Sequence, residues 1–315
     1  MVKKVKVVKG FKAFGKGLVC RGFQYKEGKT YKTDKIEMCI RGFHFCENPL
    51  DVLNYYYSID SEFCEVESKG EIIKEGNKFC ASKIKIGVKM ELKSLIGASI
   101  DFIFSKAKKT SYGHCAQLAS SGDCAKLASS GDCAQLASSG YGAQLASSGN
   151  DAQLVSSGYD AQLASSGNDA KLVSSGHDAN LASSGYGAKL ASSGDDSQLA
   201  SSGYGANLVS SGYGAKLASS GNDARLSSSG YGAKLVSSGY GAQLASSGGG
   251  SICAGIGINN YAKGKIGSWI VLAEWKFNSD VKRFPKNVKS VKIDGTIIKE
   301  DVFYKLENNE FVEVK

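Results

Sequence analysis

The middle of this chain is an internal repeat of nine residues, and this feature limits the fold more than any other. From Leu118 to Leu244, fifteen leucines follow one another at intervals of nine, each inside a unit close to Ser-Gly-Tyr-Gly-Ala-Gln-Leu-Ala-Ser. A unit this short cannot bury an apolar face by itself, so neighbouring units must stack on one another. We therefore predict one elongated solenoid over residues 113–250.

Each unit combines a strand pattern with a turn pattern. In Ala-Gln-Leu-Ala-Ser, alternation predicts a strand with Ala, Leu and the first Ser inside, and with the Gln position and the residue after Leu outside. Ser-Gly-Tyr-Gly or Ser-Gly-Asn-Asp supplies the turn, because glycine adopts positive φ freely. One strand and one turn cannot close a loop, so we predict parallel β-sheets on opposite sides of coils that hold two units each. Fifteen units then give about seven coils, roughly 35 Å long at the usual strand spacing.

Coils of eighteen residues place equivalent turn residues directly above one another. Stacked like residues support strands in register. We expect a turn ladder of tyrosine pairs, which are Tyr141 with Tyr159, Tyr186 with Tyr204 and Tyr213 with Tyr231. Asn150 and Asn168 are expected to stack in the same way.

The outward strand positions form two rows that could contact a partner. The candidate interaction face comprises Gln117, Gln135, Gln153, Lys171 and Lys189, together with Val155, Val173 and Val209, which replace alanine there. The other face carries Lys126, Gln144, Gln162 and Asn180. Exposed valines would favour partner binding or self-association on the first face. Regular rows also suit an ice surface, but the threonine ladders of ice-nucleation repeats are missing, since no threonine occurs in residues 113–250.

The flanks have the composition of caps for the solenoid. Residues 1–112 predict an α+β domain in which residues 49–57 form a short helix that begins with proline. Residues 251–315 predict a β-rich cap, with a buried strand at residues 268–275 and hairpins around Asp294-Gly295 and Asn308-Asn309. Caps are needed because an open parallel edge invites polymerisation.

Charge follows the same boundaries and argues against several partner classes. The solenoid holds six basic and nine acidic residues, so its net charge is −3. The net charge of the whole chain is +9, so the flanks together carry +12. Lysine is interspersed with glutamate in the flanks, which favours a solvated surface over a nucleic-acid interface. No stretch approaches eighteen apolar residues, and we predict a cytoplasmic protein without membrane contact, or a virion component. Nine irregularly spaced cysteines predict reduced thiols.

Two sets of side chains have residue types that metals prefer, but simpler interpretations compete. Zinc ligands could come from Cys39, His44 and Cys46, or from His114, Cys115, Cys124 and Cys133. Calcium could bridge stacked aspartates, namely Asp151 with Asp169, and Asp160 with Asp178 and Asp196. Small buried cysteines and aspartates that cap their own turns account for the same residues. We therefore predict no metal and no cofactor.

Several flanking segments together resemble a known group of proteins. The segments are residues 20–25, 28–31, 42–55, 83–87, 269–275 and 303–308. They resemble a family of phage and prophage proteins from Gram-positive bacteria, in which similar ends surround a variable number of short Gly-Tyr/Asp/Asn repeats. The resemblance covers about 180 flanking residues. It implies a phage origin and this architecture, and it brings no catalytic residue with it.

One enzymatic alternative stays open. Gly42-Phe-His-Phe, the tyrosines at residues 55–57 and Glu65-Val-Glu67 are loosely similar to elements of ADP-ribosyltransferases. An ordinary exposed strand explains Glu-Val-Glu equally well, and likeness at fold level is weak evidence for chemistry. We predict a mainly β, non-enzymatic, phage-derived scaffold or interaction protein that binds a host or viral protein and could interfere with host defence.

Overall fold

The computed structural model describes residues 7–55, 61–106, 113–277 and 283–314. The chain divides into two compact units, residues 1–102 and residues 103–315. The fold is mainly β, and a parallel β-solenoid of about nine turns occupies residues 117–272. Among the described residues, no helix is long and apolar enough to cross a membrane.

The N-terminal unit is a small sheet that closes on itself. Its strands are β1 (Val8–Phe14), β2 (Val19–Cys20), β3 (Phe23–Gln24), β4 (Thr30–Lys32), β5 (Phe43–Cys46), β6 (Glu62–Glu75) and β7 (Lys78–Met90). β2 and β3 form a separate hairpin, and the other five strands are ordered β4-β7-β5-β1-β6. Because β6 also pairs with β7, four of them form a closed ring around Phe14, Tyr25, Phe45 and Ile84.

Two helical segments belong to this part of the chain. The predicted short helix is a 3-10 helix, Pro49–Asn54, whose Asn48 side chain accepts a hydrogen bond from the backbone N of Leu50 at 3.1 Å. Proline fits the first turn because that position needs no backbone N–H donor. The last two residues of the predicted helix, 56 and 57, lie outside the described residues. An α-helix, α1 (Leu92–Lys106), was not located by the sequence analysis.

The repeats form two parallel sheets, as the sequence predicts. The first solenoid sheet contains β8 (Gln117–Ser120), β10 (Gln135–Ser138), β12 (Gln153–Ser156), β14 (Lys171–Ser174), β16 (Lys189–Ser192), β18 (Asn207–Ser210), β20 (Arg225–Ser228), β22 (Gln243–Ser246) and β24 (Tyr261–Lys263). The second solenoid sheet contains β9 (Lys126–Ser129), β11 (Gln144–Ser147), β13 (Gln162–Ser165), β15 (Asn180–Ser183), β17 (Gln198–Ser201), β19 (Lys216–Ser219), β21 (Lys234–Ser237), β23 (Ile252–Gly255) and β25 (Trp269–Phe277).

The register confirms coils of eighteen residues. Leu136 pairs with Leu154 in the first sheet, and Leu145 pairs with Leu163 in the second. Inside the coils the leucine and alanine side chains are almost fully buried from the second coil onward. Each buried leucine contributes about 2 kcal/mol, so the stack is stable only as an array. In the first coil Leu118 and Leu127 remain half-buried.

Inward serines and strict glycines complete each coil. The inward serine accepts a hydrogen bond from the glycine two residues on, as Ser147 Oγ does from Gly149 N at 3.3 Å. From Gly131 onward, a Cβ on this glycine would meet the backbone of the coil before it; at Gly203 it would lie 1.9 Å from the oxygen of Gly185. The repeat therefore keeps Ser-Gly for steric reasons, whatever residues follow in the turn.

The coils continue beyond the last regular unit and end in antiparallel strands. β24 and β25 still stack in parallel on β22 and β23, which is why about nine coils form instead of seven. β26 (Arg283–Lys292) then pairs antiparallel with β25, and β27 (Tyr304–Glu307) pairs with β24 and with β28 (Glu310–Glu313). On this side the two solenoid sheets therefore end in antiparallel strands, β28 in the first and β26 in the second, instead of in a further parallel coil.

Of the two predicted C-terminal hairpins, one is confirmed and the other is wrong. Asn308-Asn309 joins β27 to β28 as a hairpin. Asp294-Gly295 is a turn between strands of different sheets, because β26 before it pairs with β25 and β27 after it pairs with β24. Asp294 Oδ1 accepts hydrogen bonds from three backbone N–H groups, those of Thr296, Ile297 and Ile298. A self-bonding aspartate thus makes the turn without any strand pairing.

Candidate interaction surface

Asparagine and aspartate at the first turn position bond one coil to the next. Asn168 donates its backbone N–H to Asn150 Oδ1 at 2.9 Å, and Tyr186 donates to Asn168 Oδ1 at 2.9 Å. Tyr213 makes the same bond to Asp195 at 2.8 Å. The predicted Asn150–Asn168 contact is thus confirmed, as a side-chain-to-backbone bond.

Tyrosine at the same position stacks when the next coil also offers a ring. Tyr186 and Tyr204 stack at 5.3 Å between ring centroids, and Tyr213 and Tyr231 at 5.9 Å, so these two predicted pairs are confirmed. Tyr159 stacks on His177 at 5.1 Å. All of these tyrosines are exposed.

The predicted stacking of Tyr141 on Tyr159 is wrong. The Tyr141 hydroxyl instead hydrogen-bonds with Asp160 in the next coil, and this bond raises the pKa of Tyr141. Tyr204 has a similar bond to Asp223, which raises the pKa of Tyr204. An aspartate in the next coil can therefore hydrogen-bond the hydroxyl of Tyr141 in place of the ring stacking that the sequence predicts.

Backbone conformation explains glycine and aspartate at the second turn position. Asp151, Asp160 and Asp178 have φ of 55°, 53° and 57°, and Gly205 has φ of 67°. Glycine and aspartate adopt this left-handed region more readily than most residues. The described residues contain no group of three His, Cys, Asp or Glu side chains arranged to hold a metal ion. The aspartate rows are accounted for by the turn.

The sequence analysis weighed two sets of possible zinc ligands before it predicted no metal, and the structure gives the surroundings of both sets. His44 Nε2 accepts a hydrogen bond from the backbone N of Cys39 at 2.9 Å, and Cys46 is buried. His114 Nδ1 lies 3.7 Å from Asp132 Oδ2. The three cysteines of the first coils, Cys115, Cys124 and Cys133, are exposed at the second turn position with φ between 52° and 58°.

The glutamates of the enzymatic alternative lie on a paired strand. Glu65 and Glu67 are on β6, opposite β1, and Glu67 Oε1 is 3.9 Å from Lys9 Nζ. Gly42 directly precedes β5, which pairs with both β1 and β7.

The candidate interaction face of the first sheet is largely buried, so its expected exposure is wrong. Val155 and Val173 are 0% and 1% exposed, and Gln153 and Lys171 are also buried. Gln117, Gln135, Lys189 and Val209 are half-buried. Their side chains do lie on the outer side of the strands, as predicted. Alternation determines the side on which a residue lies, but a side is exposed only where nothing packs against it.

The outer side of the second sheet is the exposed one, and it carries a long groove. The groove has a volume of about 1190 Å³. Each coil adds one outward alanine and one exposed serine; the alanines are Ala128, Ala146, Ala164, Ala182, Ala200 and Ala218. Lys126, Gln144, Gln162 and Asn180 lie on the same side of the strands and are exposed.

The groove ends in an apolar patch that the sequence analysis missed. Val236, Ile252, Ile256 and Trp269 are each between 41% and 45% exposed. Trp269 was expected in a buried strand, but it pairs with Ile252 and Ile252 pairs with Lys234, so Trp269 continues the outward Gln/Lys row. Only the continuation of the repeat past residue 250, in a degenerate form, could have placed it outside.

The comparisons with known proteins concern the N-terminal unit. Residues 8–98 match the model of a family described as a domain of unknown function, DUF7666. No curated protein and no solved structure matches the chain. The similarity therefore identifies a domain that begins with β1 and ends within α1, and it assigns no activity to it.

Proposed function

We propose that this chain is a non-enzymatic interaction protein whose second solenoid sheet binds a protein partner along its outer side. The observation that carries the proposal is the exposed groove of alanines and serines, which ends in the patch of Val236, Ile252, Ile256 and Trp269. Contiguous exposed apolar surface on a soluble protein commonly marks an interaction site, and tryptophan is a frequent anchor there.

The residue types along the groove favour a contact surface over an ordinary solvated one. At the groove position all six residues from 128 to 218 are alanine, although they are exposed. Two residues earlier, on the same strands, the outward position varies among Lys, Gln and Asn. In these six coils the first outward position has diverged and the second has not; Val236 then follows at the groove position in the next coil. Small side chains let another backbone approach closely, which explains alanine at a contact surface.

The partner we propose is a host or viral protein. This part rests on the resemblance of the flanks to phage and prophage proteins, and interference with host defence would fit that origin. Alanine in place of threonine speaks against an ice surface as the ligand, since it offers no hydroxyl row on the strand.

Site-specific crosslinking tests the proposal. A photoreactive amino acid is placed at Ala182, in the groove, and in the control at Asn180, which is exposed on the same strand outside it. We expect one discrete crosslinked protein from host or infected-cell lysate at position 182, and its loss when Trp269→Ala is added. Equal crosslinking from both positions, or none from either, would contradict a specific site in the groove.

A further inference from the structure

The N-terminal unit contains a cavity of about 240 Å³ that the solenoid proposal does not involve. It is lined by β1, the β2–β3 hairpin, β5 and the 3-10 helix, with Lys78 of β7 at its wall. Aromatic side chains make up much of the lining, among them Phe23, Tyr25 and Tyr55. This volume is slightly below the range of about 300–1,000 Å³ that is usual for small-molecule sites, so only a small ligand would fit.

Lys12 is the unusual residue of this cavity. The residue is 6% exposed, and its Nζ donates hydrogen bonds to the backbone oxygen of His44 at 3.0 Å and to Cys20 Sγ at 3.5 Å. Within the described part of the chain no carboxylate lies within ion-pair distance of it. Its ammonium group also lies over the rings of Phe14 and Tyr25, at 5.2 Å and 5.7 Å from their centroids. Neutral acceptors and ring faces compensate a buried charge less fully than an anion does, so an anionic ligand would stabilise this lysine further.

The charged side chains that line the cavity are all basic. Lys12, Arg21 and Lys78 all line it, and none of its lining residues is Asp or Glu. The pKa of His44 is lowered to about 4 by burial first, and then by the charges of Lys12, Lys78 and Arg21. His44 is thus neutral at physiological pH and adds no charge to the cavity.

The positions of these side chains are held by strained backbone. Leu18, Arg21 and Cys39 have φ of 58°, 51° and 62°, although none is a residue type that favours the left-handed region. Arg21 Nη1 donates to the backbone oxygen of Cys39 at 2.6 Å, and Lys78 Nζ donates to Cys39 Sγ at 3.4 Å. Such strain is concentrated at functional sites, because folding stability alone would remove it.

We infer that this cavity binds a small organic anion with an aromatic or apolar body, whose acidic group lies against Lys12 and Arg21. Phe23 and Tyr25 would contact the body, while the two cationic groups would donate charge-assisted hydrogen bonds to the acidic group. Carboxylates, phosphate esters and sulfonates share the chemistry that the cavity recognises.

Binding is coupled to the protonation of Lys12. Burial lowers the pKa of Lys12, while the neighbouring Cys20 and Cys46 oppose this and Arg21 adds to it. An anion beside the amine offsets the cost of burying its charge, so the ligand draws a proton onto Lys12. His44, Lys78 and Tyr55 also face the cavity. The pKa of His44 is lowered to about 4 and burial raises the pKa of Tyr55 to about 12, so His44 and Tyr55 do not titrate between pH 6 and 9.

The test uses the full-length protein and two aromatic anions, benzenesulfonate and phenyl phosphate, with benzenesulfonamide as the neutral control. We expect calorimetry to show binding of the anions but not of the sulfonamide, with proton uptake that is revealed by buffers of different ionisation enthalpy. Benzenesulfonate stays ionised throughout, so its affinity should fall as rising pH removes the proton from Lys12. Absence of anion binding at millimolar concentration would overturn the inference.

A pair of variants on one strand isolates the role of Lys12. Lys12→Met removes the charge at similar length, and Lys9→Met removes an exposed charge three residues earlier on β1. Loss of a charge-assisted hydrogen bond should weaken binding by about tenfold or more in Lys12→Met, and Lys9→Met should bind as the wild type does. Equal affinities of the two variants would rule out the site at Lys12.

A chemical measurement on the wild type covers the case in which Lys12→Met does not fold. Pyridoxal phosphate forms an imine with an accessible neutral amine, with loss of water, and borohydride reduces the imine to a stable secondary amine. We expect peptide mass spectrometry to show modification of Lys12 that benzenesulfonate suppresses, while modification of the exposed Lys9 persists. Labelling of Lys12 that the anion leaves unchanged would count against the cavity as its binding site.

Discussion

The substitution Gly203→Ala tests the steric argument for the repeat. A Cβ at residue 203 would lie 1.9 Å from the oxygen of Gly185 and 2.6 Å from its carbonyl carbon. An ordinary C···O contact is about 3.3 Å, so the two coils must separate there by roughly 1.4 Å. The bonds on either side, Ser202 N to Ser183 O at 3.1 Å and Gly187 N to Tyr204 O at 2.9 Å, would then exceed hydrogen-bonding distance.

The expected cost follows from those two bonds. A backbone group that is left without its partner costs about 1–3 kcal/mol, so losing both bonds should lower the free energy of unfolding by roughly 2–6 kcal/mol. Gly205→Asp is the matched control, two residues further on. Its φ of 67° is close to that of the native turn aspartates, and a Cβ there meets nothing within 4 Å. We expect it to cost about 1 kcal/mol or less.

Tryptophan fluorescence during urea denaturation measures both variants, because the two tryptophans of the chain, Trp269 and Trp275, are in the solenoid unit. The expected result is a clearly lower midpoint for Gly203→Ala and a midpoint near wild type for Gly205→Asp. Equal midpoints for Gly203→Ala and wild type, or a larger loss for Gly205→Asp, would refute the steric explanation of Ser-Gly.

The remaining predictions concern the ends of the solenoid and its thiols. Deletion of residues 251–315 should open both sheet edges and give aggregates or fibres by light scattering; a soluble monomer would contradict the capping role. The pKa of Glu274 is lowered to about 2, chiefly by the hydrogen bond that Lys286 donates to it. The ionised Glu274 therefore contributes to the free energy of unfolding above its ordinary pKa of 4.5, and this contribution is lost as the pH falls toward 2. Melting temperatures of Glu274→Gln should therefore converge with those of wild type as the pH falls; parallel curves would exclude this linkage. Burial raises the pKa of Cys253 to about 12, so iodoacetamide at pH 8 should modify the exposed Cys124 and spare Cys253 in a mass spectrum, unless the C-terminal coils open readily.

The sequence predicts the solenoid well because its information is local and repeated. The spacing of the leucines predicted coils of eighteen residues. Residues eighteen positions apart, such as Tyr186 and Tyr204, were therefore expected to be in contact, and they are. The burial of Val155 was out of reach, since the repeat pattern contains nothing about what covers a face. The competition between Asp160 and Tyr159 for Tyr141 was missed because counting by eighteen overlooks the residue nineteen positions on.

The cavity of the N-terminal unit shows the opposite situation. Lys12 and His44 come from strands far apart in the chain, and only the closed sheet brings them together. The sequence analysis did single out Cys39, His44 and Cys46 as possible zinc ligands, although it predicted no metal there. In the structure His44 accepts a hydrogen bond from the Cys39 backbone N, and Cys46 is buried near Lys12. A cluster of reactive residue types was thus visible in sequence, while its chemistry depended on long-range pairing.

In the solenoid, the residues that hold the coils together differ from those available for recognition. Leucine, inward serine and glycine lie inside, and the turn residues bond one coil to the next. The outward positions, such as Asn180 and Ala182, contribute their backbone to the ladder, but their side chains are exposed. Surface substitutions of this kind usually change stability by no more than about 0.5 kcal/mol. Replacement of a groove alanine by arginine should therefore block a partner while the solenoid stays folded, so a loss of binding there can be assigned to the surface itself.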